Sequence, residues 1–259
     1  MKTSIYQQMS ELEERGETFA VCTIISSHGS TPRRTGSKMI VKQNGEIMGS
    51  VGGGEVEERV RQVALSVLAE NRAKTVHYQL SDPQKGDPGI CGGEVDIFIE
   101  PVCRAPKMII IGAGHVGKAV AHLAKWAGYR VAVSDDRPEM QATLGEDVDE
   151  LWMGPIQQLP EHIKVDEGCF IVMTTRNADL DIDGLPVLLN TSARYIGIIG
   201  SKRRWLATRE GLAKKGIGEE QVKMVRTPIG LEIGAETPEE IAISILAEII
   251  QIRNQSVDG

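Results

Sequence analysis

The sequence has little of several features that would each indicate a particular class of protein. Aromatic residues make up only 4% of it, and we find no apolar run of the ~18–20 residues that a membrane-spanning helix needs. The N-terminal stretch MKTSIYQQMSELEERGE contains no apolar core of the kind that a secretory signal carries. We therefore expect a cytoplasmic protein with no membrane segment.

A surplus of basic residues is also missing. The formal net charge is −7 at pH 7, whereas general nucleic-acid binding needs a positive field over the protein surface. We therefore expect no nucleic-acid partner. The short basic cluster Lys202, Arg203 and Arg204 is expected to be a solvated helix start.

Cysteine is scarce, and its four residues are dispersed without C-x-x-C spacing: Cys22, Cys91, Cys103 and Cys169. This pattern favours reduced thiols over a disulfide framework or a zinc site. Cys22 and Cys169 fall in or at the start of predicted strands and are expected to be structural. Cys91 precedes two glycines in a loop rich in Pro and Gly, where thiols are often exposed.

The first half of the chain has the pattern of a small α+β domain, which we place at residues 1–103. Apolar spacing and turn signals, including the hairpin dipeptide Asn44-Gly45, predict two helices and a set of strands. One helix is predicted at 3–15, and a second follows the glycine run and ends at about residue 71. Strands are predicted at 19–27, on both sides of the hairpin turn, at 75–80 and at 94–102. Two conspicuous loops, 28–37 and 81–93, separate these elements.

The second half, residues 104–259, alternates strands with helices, which indicates a parallel sheet covered on both faces. Gly112, Gly114 and Gly117 form a G-x-G-x-x-G motif between an isoleucine-rich strand and a helix. Asp135 ends the next strand, 18 residues after Gly117. The expected fold class is therefore α/β, with the small α+β domain followed by a Rossmann-like, doubly wound domain.

Gly112, Gly114, Gly117 and Asp135 are the candidate binding site for NAD(H) or another adenine nucleotide. The glycines permit a tight turn, approach of a pyrophosphate and close helix packing, while the acid binds a ribose hydroxyl. Asp135 favours NAD over NADP because a carboxylate repels a 2′-phosphate. For the two residues that follow, Asp136 and Arg137, the alternative to a role in the site is an ion pair on the surface. An NAD-dependent oxidoreductase acting on a small molecule remains an alternative function, although no histidine cluster or Ser-x-x-x-Tyr-x-x-x-Lys string supplies a proton donor.

The glycine run in GSVGGGEVEERV, residues 49–60, has two interpretations. Gly52, Gly53 and Gly54 either make only a tight turn or let the backbone lie against a ligand. The acids that follow either complement the dipole of the predicted helix or bind that ligand.

Six segments, in order along nearly the whole chain, resemble the XdhC/CoxI family of accessory proteins for xanthine dehydrogenase and related molybdenum hydroxylases. They are GSTPRRTGSKMIV, GSVGGGEVEE, GICGGEVDIFIEPV, GAGHVG, YIGIIGSKRR and GLEIGAETPEEIAISILAEI. The resemblance implies a chaperone that binds molybdenum cofactor, supports its sulfuration and delivers it to an apo-hydroxylase, rather than a turnover enzyme. It also implies a homodimer, with a cysteine desulfurase as a further partner.

The resemblance assigns the glycine run to the pterin of this cofactor. Gly52, Gly53 and Gly54 would lie against the pterin plane, and the carboxylate of Glu57 would accept hydrogen bonds from the pterin donor edge. Arg33 or Arg34 would bind the anionic tail of the cofactor. Cys91 would contact molybdenum or carry sulfur.

Two positions depart from the family pattern. Glu55 stands where one branch of the family has a cysteine, and the string Thr174-Thr175-Arg176-Asn177 lacks a histidine that often follows this strand. Roles for that thiol and that imidazole do not transfer to this chain.

Overall fold

The computed structural model describes residues 4–80 and 92–255. The chain divides into two compact units, the first ending at Arg104 and the second spanning Ala105–Gln255. None of the helices in these residues combines the length and the apolar character needed to cross a membrane.

The first unit is a five-stranded antiparallel sheet with two helices. Its strands lie in the order β3-β2-β1-β5-β4. In chain order the elements are α1 (Ile5–Glu14), β1 (Phe19–His28), β2 (Lys38–Lys42), β3 (Ile47–Gly49), α2 (Gly54–Glu70), β4 (Lys74–Gln79) and β5 (Glu94–Val102). The predicted hairpin is confirmed, because β2 pairs with β3 and the Gly45 N–H bonds to the Lys42 carbonyl at 2.9 Å.

Helix α2 covers one face of this sheet because its apolar residues recur every three or four positions. Its buried residues, Val56, Val60, Ala64 and Val67, pack in one cluster with alternate residues of β1, β2 and β5. Helix α1 contributes Leu12 to a smaller cluster that includes Phe19 and Ile40. The segments before and after α2 are therefore held at fixed places on the sheet.

The second unit is a six-stranded, fully parallel sheet in the order β11-β10-β9-β6-β7-β8. Counted from its first strand, this order is 6-5-4-1-2-3, the order of the doubly wound nucleotide-binding fold. The strands are β6 (Lys107–Ile111), β7 (Arg130–Asp135), β8 (Glu150–Met153), β9 (Cys169–Met173), β10 (Tyr195–Ile198) and β11 (Val225–Arg226). The predicted fold class is confirmed.

Helices cover both faces of the parallel sheet. They are α3 (His115–Trp126), α4 (Leu159–His162), α5 (Ala178–Leu188), α6 (Lys202–Lys214), α7 (Glu219–Val222) and α8 (Pro238–Gln255). Met108 and Ile110 of β6 pack with residues of α3 and α8, whereas Ile109 and Ile111 pack with residues of α5 and α6. All five residues of β6 are buried, as expected for a central strand.

Candidate functional site

Three of the motif segments of the first unit lie together at one end of the antiparallel sheet. The Arg33 Nε donates a hydrogen bond to Ser50 Oγ at 3.3 Å. A Cβ added to Gly52 would lie 3.4 Å from the ring of Pro32, and one added to Gly93 would collide with the carbonyl of His28. The structure therefore brings together residues 28–33, 50–57 and 92–93, which are far apart in sequence.

Glu57 bends back from the first turn of α2 onto the glycine loop. Its Oε1 accepts hydrogen bonds from Ser50 Oγ at 2.6 Å, from the Val51 N–H at 3.2 Å and from the Gly53 N–H at 2.8 Å. These three hydrogen bonds share the single oxygen Oε1. Partial burial acts to raise the pKa of Glu57, but the hydrogen bonds from Ser50 and the loop backbone outweigh it and lower the pKa.

The two acids next to Glu57 in this part of α2, Glu55 and Glu58, point elsewhere. Glu55 pairs with Arg59 in a contact of 2.5 Å, and Glu58 pairs with Arg61 at 2.6 Å, both on the exposed surface of α2. The sequence pattern made the three acids look equivalent. Among these three acids, only Glu57, four residues after Gly53, has a side chain that reaches the loop.

The backbone of the glycine run has the left-handed conformation that favours glycine. The φ angles of Gly53 and Gly54 are +82° and +58°, and a Cβ added to either residue would meet nothing within 4 Å. Internal packing therefore does not require glycine at these two positions. The conformation does require it, and the open space beside the backbone leaves room for a ligand.

Cys91, the predicted contact to molybdenum, lies outside the described residues. The described cysteines Cys22 and Cys169 are buried, and burial raises the pKa of their thiols to about 12 and about 11. Both therefore have the environment expected of structural cysteines. Over residues 4–80 and 92–255 there is no group of three or more His, Cys, Asp or Glu side chains arranged to hold a metal ion.

In the second unit, each glycine of the G-x-G-x-x-G motif has a different spatial constraint. Gly112 has a φ of +112°, and a Cβ there would lie 2.6 Å from the Thr174 carbonyl oxygen. A Cβ at Gly117 would collide with the Gly112 carbonyl, whereas one at Gly114 would meet nothing within 4 Å. These are the geometries that a tight turn, close helix packing and approach of a pyrophosphate require.

Asp135 is buried beneath this turn, and its carboxylate is already engaged. It accepts hydrogen bonds from the Ala113 N–H at 2.7 Å and from the Arg137 N–H at 3.0 Å. The Arg137 guanidinium adds two more, one to each oxygen, both at 2.9 Å. Burial acts to raise the pKa of Asp135, but these hydrogen bonds outweigh it and lower the pKa.

The alternative surface pair between Asp136 and Arg137 is wrong. Arg137 binds Asp135 instead, and Asp136 forms a two-bond pair with Arg176, with distances of 2.6 and 2.7 Å. Arg176 follows β9, and Asp136 follows β7, so this pair links the two strands that flank β6. Sequence spacing missed it because the partners are 40 residues apart.

Arg204 also differs from its prediction as part of a solvated helix start. Its guanidinium bonds to the fully buried carboxylate of Asp181 at 2.7 and 2.9 Å and to the Thr175 carbonyl at 2.8 Å. The Thr175 hydroxyl donates to the same carboxylate. Arg204 therefore ties the segment after β9 to α5 and α6. Its neighbours Lys202 and Arg203 are less constrained, and Lys202 is exposed as predicted.

The antiparallel unit with its glycine loop, followed by a Rossmann-type unit with an open glycine turn, defines a class of two-domain proteins with a nucleotide-binding fold. Family models match both parts: the model described as the XdhC and CoxI family matches residues 12–79, and the model described as the XdhC Rossmann domain matches residues 108–249. The chain belongs to the XdhC and CoxI family.

Two curated relatives match this chain over only part of their own length. YqeB, an uncharacterized protein of Escherichia coli K12, is 33% identical over 99% of this chain and 47% of its own length. A Bacillus subtilis 168 protein described as a probable subunit of xanthine dehydrogenase is 32% identical over 62% of this chain and 47% of its own. The chain therefore spans about half the length of these two curated relatives.

Two further proteins are similar over most of both chains. The E. coli K12 molybdenum cofactor insertion chaperone PaoD is 20% identical over 92% of this chain and 84% of its own. A crystal structure described as a xanthine dehydrogenase from Bacillus halodurans is 23% identical, covers 98% of this chain and 96% of that one, and superimposes with a TM-score of 0.52. At this identity the structural likeness concerns the fold alone.

Proposed function

We propose that this chain is an accessory factor that binds molybdenum cofactor in its first unit, supports sulfuration of the cofactor and delivers it to a molybdenum hydroxylase of the xanthine dehydrogenase type. The names of the chaperone relative and of the Bacillus subtilis relative support this class of function. The observation that carries the proposal is the convergence of Arg33, Glu57 and the open glycine loop at one end of one sheet.

The residues of this convergence fit the chemistry of the cofactor. The open backbone at Gly53 and Gly54 is the type of surface that a flat pterin ring can approach closely. Because Oε1 of Glu57 is committed to the loop, Oε2 is the oxygen that we assign to a pterin N–H donor. The exposed guanidinium of Arg33 supplies a donor for the phosphate or dinucleotide tail.

Cys91 keeps its proposed role on sequence grounds alone, since it lies outside the described residues. It directly precedes Gly92 and Gly93, the second of which lies against His28 and Ser30 of the converging segments. A thiolate at position 91 would supply the soft ligand that molybdenum or a transferred sulfur atom prefers.

We assign an adenine nucleotide, with NAD(H) as the reference ligand, to the second unit. The open space beside Gly114 fits the pyrophosphate of such a ligand. In this proposal Gly112, Gly114 and Gly117 shape the phosphate-binding turn. Asp135 fixes the backbone of that turn by accepting a hydrogen bond from the Ala113 N–H.

We further propose that the factor works in the cytoplasm as a homodimer, with an apo-hydroxylase and a cysteine desulfurase as partners. Most apolar residues of α8 are buried or partly buried in the core of their own unit, but Ile243 is 52% exposed. It lines a groove of about 630 Å³ formed by α3, α8 and residues 143–148. This groove is our candidate contact with the second copy.

Binding of the cofactor is the experiment that tests the proposal. Molybdenum cofactor released from a molybdoenzyme is dialysed against the purified protein, and retained pterin is oxidised and measured by its fluorescence. We expect saturable retention at micromolar concentrations or below. Retention no greater than that of an unrelated Rossmann-type protein would refute cofactor binding.

A further inference from the structure

We propose that Arg137 sets the nucleotide preference of the second unit by occupying, on Asp135, the place of the ribose hydroxyls. In this arrangement a ribose 2′-phosphate is accepted as readily as a free 2′-hydroxyl, contrary to the preference for NAD that Asp135 alone would indicate. The inference rests on the proposal that this crevice takes an adenine dinucleotide, and it adds the residue that discriminates between the two ligand classes.

The geometry at the end of β7 makes the carboxylate of Asp135 inaccessible to a ribose. The side chain of Asp135 is 1% exposed, and the Arg137 guanidinium contacts both of its oxygens at 2.9 Å. A ribose diol can bind these oxygens only after the guanidinium has left them. Since hydrogen bonds between charged partners are the strong ones, this displacement opposes binding of NAD.

A phosphate on the ribose meets a different situation. An isolated carboxylate repels the 2′-phosphate because both are negatively charged. Here the positive charge of the Arg137 guanidinium lies beside Asp135 and offsets its charge. The Arg137 side chain is 35% exposed, so it can turn outward toward the ligand. Its planar guanidinium then forms the two-bond contact with phosphate that this group favours.

Two neighbouring contacts hold the rest of the site in place when Arg137 moves from Asp135 toward the ligand. The Ala113 N–H keeps its hydrogen bond of 2.7 Å to Asp135, so the carboxylate stays beneath the glycine turn. The second arginine at this edge, Arg176, is held by Asp136 through two hydrogen bonds and does not compete for Asp135. Arg137 is thus the group whose position determines the charge that the ribose encounters.

Isothermal titration with NAD⁺ and with NADP⁺ tests the inference. For the wild type we expect two dissociation constants within about fivefold of each other, because either ligand breaks the contact between Arg137 and Asp135 and gains hydrogen bonds of its own in exchange. Arg137→Met should tighten NAD⁺ binding and weaken NADP⁺ binding, which together shift the preference by roughly tenfold or more toward NAD⁺. Arg209→Met, which removes an arginine from an exposed pair with Glu219 on the same unit, should leave the ratio unchanged.

An unchanged NAD⁺/NADP⁺ ratio in Arg137→Met would overturn the inference while leaving nucleotide binding intact. No binding of either nucleotide to either protein would overturn both the inference and the nucleotide part of the proposed function, and cofactor retention by the first unit would be unaffected. Should Arg137→Met fail to fold, Asp135→Asn provides the second test. Freeing Arg137 in this way should strengthen NADP⁺ binding and weaken NAD⁺ binding, and the opposite shift would contradict the assignment.

Discussion

The Gly53 N–H donates a hydrogen bond of 2.8 Å to Oε1 of Glu57, so the first turn of α2 closes back on the loop that precedes it. The acid therefore has a structural task in addition to any ligand contact. A glutamine at position 57 distinguishes these tasks, because it keeps an acceptor oxygen but replaces the second oxygen with a donor.

Glu57→Gln should leave the fold nearly intact and weaken retention of molybdenum cofactor by about tenfold or more, because an amide group would then face the pterin donors. The matched control is Glu58→Gln, whose acid lies on the exposed surface and pairs with Arg61. Dialysis with pterin fluorescence measures both variants. Equal retention by the two would remove Glu57 from the ligand contacts.

Gly53→Ala should lose cofactor binding for a reason other than stability. The φ of 82° and ψ of 169° at Gly53 lie in a region that essentially only glycine adopts, so alanine should cost about 1–3 kcal/mol of unfolding free energy, and the new methyl group would project into the open space. Gly128→Ala is the control, because its φ is +83° and its surroundings are equally open, but it lies in the second unit. Denaturant unfolding should show a loss of stability for both variants, and only Gly53→Ala should lose retention.

Arg204→Met should destabilise the second unit by about 3–5 kcal/mol, because it leaves the fully buried carboxylate of Asp181 without its cation. Lys202→Met, two positions earlier and exposed, should change the unfolding free energy by about 0.5 kcal/mol or less. Urea unfolding monitored by circular dichroism compares the two. Similar midpoints would mean that the Arg204 contacts contribute little to stability.

The contribution of Asp135 to stability should depend on pH in a defined direction. Its pKa is lowered in the folded state, so its stabilising effect is fully present above the unfolded value of about 3.9 and is lost as the pH falls through the folded pKa. The difference in unfolding free energy between the wild type and Asp135→Asn should therefore be constant from pH 7 to about pH 5 and should shrink below pH 4. A difference that grew on acidification would contradict this sign.

Local pattern predicted most of the fold, since the helices and strands of both units follow from apolar spacing, glycines and caps. At the start of α8 the spacing of Thr237 and Glu240 is that of a capping box, and the structure shows its two bonds, from the Thr237 N–H to the Glu240 carboxylate and from the Glu240 N–H to Thr237 Oγ1. Short elements such as β8 and β11 were missed because four or two residues carry too little periodicity. Contacts between distant residues, such as Asp136 with Arg176, have no local signature at all.

The candidate sites followed the same division between local and long-range features. Gly112, Gly114 and Gly117 could be assigned from spacing because each role concerns the backbone of one turn. The engagement of Asp135 by Arg137 could not, since an acid at the end of a strand looks the same whether its partner is a ribose or a guanidinium. Likewise, the turn of Glu57 toward its own loop depends on a side-chain conformation that the sequence pattern leaves open.

Transfer of cofactor to an apo-hydroxylase tests the central claim most directly. The protein is loaded with molybdenum cofactor, freed of unbound cofactor by gel filtration and mixed with apo xanthine dehydrogenase, and recovery of hydroxylase activity is followed over time. The proposed function predicts that the loaded protein restores activity faster and more completely than the same amount of free cofactor, and that loaded Glu58→Gln does so equally well. Activation no better than that by free cofactor would contradict a role in delivery.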